Sequence, residues 1–135
     1  MERTLARVNR LILVDGHEQQ YLQLREADAG PSPRELTMVI GRSAAHEITM
    51  CLKDEPAPRP MTHELTHTLI QRLSGTIQET VIHELDSGTY FAELRVEHDG
   101  EVFGIDCRPS DAIALSLRGS APIYVTEKVW SQAQS

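Results

Sequence analysis

IGRSAAHEITMCLK, from Ile40 to Lys53, and IDCRPSDAIALSLR, from Ile105 to Arg118, align without a gap. Ile40 matches Ile105, Ile48 matches Ile113, Met50 matches Leu115, Leu52 matches Leu117 and Lys53 matches Arg118. Each segment opens on an apolar strand end and runs on as a helix, with Ala45, Ile48 and Leu52 at helical spacing in the first. The same order extends backwards from both. RVNRLILV, YLQLRE and LTMVIG read as three strands, with a turn at Asp15-Gly16 and a loop broken by Gly30, Pro31 and Pro33. IQETVIHEL, YFAELRVE and EVFGIDC read as three more, joined by the turns DSGT and HDG.

The chain is therefore read as one domain over residues 1–135, built from two β3-α repeats at about 8–75 and 76–130. An ancient duplication is the expected origin of the match, the alternative being the hydrophobic phasing that any two strand–helix units share, and the short turns imply antiparallel pairs. The expected fold is α+β, with the strands of both repeats in one curved, mostly antiparallel sheet flanked by helices. Between the repeats EPAPRP breaks the first helix. A further helix follows from Thr62, its expected N-cap, to Leu73, with Leu65, Leu69, Ile70 and Leu73 as its apolar stripe. Ser110 is the expected cap of the helix in the second repeat, and APIYV and TEKVW close the chain as a strand and a helical turn capped by Thr126.

Thirteen Lys and Arg stand against 20 Asp and Glu, a formal net charge of -7 over 135 residues. That balance excludes a protein that grips nucleic acid by bulk electrostatics, although a local basic strip or a divalent cation would offset the repulsion. Cys51 and Cys107 have no nearby cysteine partner, so no CxxC site or disulfide framework is present, and a reduced, cytoplasmic chain is expected. The N-terminal apolar run is too short for a signal peptide, and no stretch reaches the roughly 18 apolar residues of a membrane span.

RPMTHELTHTLIQRLSG contains H-E-L-T-H, the spacing of a zinc-protease helix, with His63 and His67 on one face and Glu64 as general base. His63 falls in the first helical turn, where the helix dipole disfavours a cation, and no third ligand has recognisable spacing. His67 reads better as a partly exposed histidine beside an apolar stripe. A second pattern unites RPMTHEL and RPSDAIAL: Arg-Pro, a hydroxyl (Thr62, Ser110), then an acid in the first turn (Glu64, Asp111). Capping and dipole complementarity alone would account for both. If the two helix starts converge, Arg59 and Arg108 would instead form a phosphate-binding corner, Glu64 and Asp111 could hold Mg²⁺ or Mn²⁺, and His63 could move a proton.

With IG at Ile40-Gly41, RPMTHEL, SGTYFAEL and RPSDAIALSLRGSAPIYVTEKV, the chain resembles the bifunctional nuclease domain family of bacteria, archaea and plants over about Leu11 to Val129. The resemblance implies an α+β fold with an internal duplication and a barrel-like sheet, and nuclease activity on DNA and RNA. The family's H-D-L falls on His63, Glu64 and Leu65, its R-P-S-D on Arg108, Pro109, Ser110 and Asp111, and its earlier R-P on Arg59 and Pro60. Two positions depart. Glu64 stands where Asp is usual, so the zinc pattern arises from that exchange plus an incidental His67. Ala44-Ala45 stands where Glu-Ala is usual, which removes a candidate metal ligand.

The leading expectation is a divalent-metal nuclease with His63, Glu64, Arg108 and Asp111 at its centre and Arg59, Thr62 and Ser110 holding substrate. The alternative is an inactive binding or regulatory module of the same fold, with a zinc peptidase third. Tyr90 and Phe91 are read as core, Cys51 and Cys107 as buried small hydrophobes, and Trp130 as a core cover or a dimer contact. A homo-oligomer is expected on general grounds.

Overall fold

Ser87-Gly88 and Asp99-Gly100 each place two consecutive residues at positive φ (50° and 82°, 51° and 80°), which makes the tight turn whose twist suits a hairpin. These turns fix the second half of the chain as a meander. In the computed structural model, which describes residues 2–135, that meander is β4 (Gly75–Asp86), β5 (Thr89–His98) and β6 (Glu101–Cys107). The first half forms β1 (Arg3–Ile12), β2 (Gln19–Glu26) and β3 (Glu35–Gly41). Helix α1 (Arg42–Lys53) follows β3, and α2 (Thr62–Arg72) leads into β4. Helix α3 (Pro109–Arg118) follows β6, and β7 (Ile123–Thr126) and α4 (Glu127–Ala133) end the chain.

The order β-β-β-α thus occurs twice, and all seven strands lie in one sheet in the order β3-β2-β1-β7-β4-β5-β6. Every pairing is antiparallel except β4 with β7. The short β7 joins the halves, pairing with β1 on one side and β4 on the other. The fold is α+β as expected, but the sheet is not a closed barrel. Closure needs the two end strands to pair, and among the described residues β3 and β6 remain its two edges.

Period-two alternation places Leu22 and Leu24 of β2, Leu36, Met38 and Ile40 of β3, and Ala92, Leu94 and Val96 of β5 in the core. Ile48 of α1 and Ile113 of α3, aligned in the repeat, are both 0% exposed against them. The aligned pair Ile40 and Ile105 diverges, at 4% and 47% exposed, although both lie on edge strands: Ile40 faces the core, whereas β6 is exposed from Glu101 to Asp106. Trp130 is a core residue: it is fully buried and its Nε1 donates to Thr4 Oγ1 at 2.8 Å. Thr126 caps α4 as expected, accepting from the Val129 N–H.

The apolar stripe read on α2 is corrected. Leu65, Leu69 and Leu73 are 52%, 51% and 71% exposed, and only Ile70 of the four packs on the core. The helix instead turns His63 inward, because that side chain has partners on two other helices. Phe91, also read as core, is on the outward row of β5 and exposed, whereas Tyr90 packs against the core as expected.

Candidate functional site

Helix α2 starts without a cap of its own. Its N-cap is Met61, and no side chain of that residue can accept from the first turn. Thr62 is therefore the first helical residue rather than the cap. The free donor is satisfied from another element: the His63 N–H donates to Glu47 Oε1 at 2.9 Å, a carboxylate carried by α1. A negative group there also complements the positive end of the α2 dipole. Helix α3 starts with Arg108 as N-cap and Pro109 in the first turn, so Ser110 too lies inside its helix, buried and not capping.

The second Glu47 oxygen, Oε2, lies 2.5 Å from His63 Nδ1, and His63 Nε2 lies 2.8 Å from Asp111 Oδ1. Arg108 then grips Asp111 twice, Nε donating to Oδ2 at 2.9 Å and a terminal nitrogen to Oδ1 at 3.2 Å. Three helices thus meet in one chain of contacts, Glu47–His63–Asp111–Arg108. It runs from the interior to solvent: the Glu47 side chain is 3% exposed, His63 10%, Asp111 26% and Arg108 76%. An imidazole can donate to both carboxylates only when both ring nitrogens carry protons; the neutral ring satisfies one of them. Burial works against the charge of Asp111, yet its bonds from Arg108 and His63 outweigh that and hold its carboxyl below the ordinary range. The bond to Asp111 raises the Arg108 pKa in turn.

Of the residues anticipated from sequence, His63, Arg108 and Asp111 come together. Glu64 does not join them. It turns outward to Arg118, with the nearest atoms 3.9 Å apart. Arg59 stands exposed on the loop before α2, outside the chain of contacts. Glu47 was not anticipated. It lies one helical turn beyond Ala44 on the same face, so α1 does deliver a carboxylate to the junction despite Ala44-Ala45. The signal for it was an acid wedged into the buried row Ala44, Ala45 and Ile48.

These donors do not fit a divalent cation as they stand. Both oxygens of Glu47 face His63, both oxygens of Asp111 face Arg108 and His63, and Glu64 points to a different arginine. Among the described residues no group of three or more His, Cys, Asp or Glu is arranged to hold a metal. The zinc-protease pair is not poised either: both ring nitrogens of His63 are engaged by carboxylates. Cys51 and Cys107 are half-buried free thiols, and burial pushes Cys107 up to about 11, which suits a packing role rather than a nucleophile.

A buried acid, a histidine and an arginine-held carboxylate at converging helix starts describe a site able to bind a phosphate and move a proton. The chain belongs to the bifunctional nuclease domain family, whose model matches residues 12–135. It is 39% identical over 115 residues to an uncharacterized protein of Mycobacterium tuberculosis (strain ATCC 25618 / H37Rv), an alignment covering 85% of this chain and 66% of that protein. It is 22% identical over 97 residues to "Bifunctional nuclease 1" of Oryza sativa subsp. japonica, covering 70% of this chain and 29% of the rice protein. The chain thus spans about two thirds of the mycobacterial relative and under a third of the plant one. No helix among the described residues is long and apolar enough to cross a membrane.

Proposed function

We propose that this protein is a nuclease that cleaves phosphodiester bonds of DNA and RNA at the junction of α1, α2 and α3. The observation that carries the reading is the Glu47–His63–Asp111–Arg108 chain, set in a member of a nuclease domain family. Each residue has a role its position suits. Arg108, the most exposed, offers its guanidinium fork to the non-bridging oxygens of the phosphate. Asp111, released from Arg108 by that exchange, accepts a proton from the water that attacks phosphorus and returns it to the leaving ester oxygen as the P–O bond breaks. His63, behind it, holds Asp111 in place and shares the proton. Glu47 fixes the ring. Ser110 lines the approach to Arg108. Arg59 and Thr62 sit near enough in sequence to His63 to contact flanking substrate.

A shared cation between Glu64 and Asp111 would require Glu64 to leave Arg118, so the metal enters this reading only through its test. A second reading has its own support: every carboxylate oxygen of the junction is already engaged, as expected of a fold that locks three helices together and only binds nucleic acid. The duplication of the two β-β-β-α halves, a reduced cytoplasmic setting for the free thiols and assembly with further copies remain part of the proposal.

The test is cleavage of labelled single-stranded DNA and RNA with Mg²⁺, with Mn²⁺ and with EDTA, beside an Asp111→Ala variant prepared identically. The nuclease reading expects the variant to fall by about 100-fold or more, the scale of a lost proton-transfer group. Wild-type protein inactive under every condition would leave the binding module.

A further inference from the structure

A cleft of about 310 Å³ opens beside Arg108. One wall is the free edge of β3, Met38 to Gly41; the other is the β4–β5 turn, Gly88 to Tyr90; the start of α3, Arg108 to Ser110, forms its end. We infer that this cleft is a subsite for one unstacked base, so that the substrate is single-stranded nucleic acid. The inference rests on the proposed nuclease reading and adds the substrate class to it.

Size argues first. The volume lies at the lower bound of small-molecule pockets, room for a nucleoside and not for a duplex. A base can enter only after leaving its stack, which is cheapest in a single strand. Chemistry argues second. Tyr90 lines the cleft and offers a ring on which any base can stack. β3 has no strand beyond it, so its outward peptide N–H and C=O groups can meet a base edge. Arg108 is the cleft's charged residue, and it already belongs to the Asp111 contact chain. A nucleotide seated with its base against Tyr90 would carry its phosphate to Arg108 and Asp111. Charge argues third. With a net charge of -7 the molecule does not grip a long polyanion by bulk electrostatics, which favours local recognition.

The experiment is equilibrium binding of a labelled single-stranded oligonucleotide and of the same sequence as a duplex, over a range of salt, with oligonucleotide integrity checked on a gel. Thr89→Trp fills the mouth from an exposed position and leaves the core alone, and Tyr90→Leu removes the ring but keeps apolar bulk. The expected result is at least tenfold tighter binding of the single strand, weakened about tenfold by each variant. The salt slope should match one or two phosphates, at about -0.7 each. Equal binding of duplex, no binding of either form, or wild-type binding by both variants would overturn the subsite. Cleavage decides the nuclease reading separately: a protein that binds single strands and cleaves nothing keeps the subsite and loses the enzyme, and one that cleaves both forms alike does the reverse.

Discussion

His63 is buried among charged partners, and its position explains why some of the site could be read from the sequence and some could not. His63, Arg108 and Asp111 stand in short motifs whose residue types already suggest phosphate and proton chemistry. Glu47 stands in none, and an acid on a helix is ordinarily a surface residue. Only the packing of α1 against α2 converts it into the group that supplies α2 with its missing cap and holds the imidazole. Glu64, prominent in the sequence, sits one residue past His63 and hence about 100° round the helix, which sends it to Arg118 instead. One consequence concerns pH. Because the folded carboxyl of Asp111 lies below its ordinary value, its contribution to stability is full above about pH 4 and is lost as pH falls through the lower, folded value. Urea midpoints measured between neutral pH and pH 3 should therefore fall less steeply for Asp111→Asn than for the wild type. A parallel fall would show that the Arg108 and His63 contacts do not favour the charged form.

Strands and helices were legible because their punctuation is chemical. Ser87-Gly88 and Asp99-Gly100 dictate hairpins, and Pro56, Pro58 and Pro60 separate α1 from α2. The inward face of α2 was not legible, since three leucines at helical spacing outbid a histidine in any reading by hydrophobicity alone. A second ionic device works at this scale. Arg34, just before β3, donates to Glu26 of β2 at 2.9 Å and to Glu127 of α4 at 2.7 Å, and its guanidinium stands 5.7 Å from the Trp130 ring. With Arg34 29% and Glu26 10% exposed, this clamp is partly shielded from water. Arg34→Ala should lose about 2 kcal/mol after discounting the more exposed Glu127 arm, readable as a lowered urea midpoint with an unchanged slope. A loss under about 0.5 kcal/mol would class the clamp with ordinary surface pairs.

Across the whole molecule, the twofold β-β-β-α order was visible in two aligned segments, but the sheet order was not. Local turns specify which strands pair within each half. The place of β7 between β1 and β4 depends on contacts far apart in the chain, which no local pattern encodes. That arrangement leaves β3 as an edge and opens the cleft beside Arg108, and it brings the starts of α2 and α3 to α1. On the proposed reading this junction is a reaction centre and more than a lock between helices. The most direct test is the rate at which wild type and His63→Gln cleave labelled single-stranded RNA and DNA, with the urea midpoint of each preparation measured alongside. The substituted side chain can still hydrogen-bond one carboxylate but cannot relay a proton. That reading predicts cleavage by the wild type and a rate about 100-fold lower in a variant that remains folded. Equal rates from the two folded proteins, or no cleavage by the wild type, would contradict it.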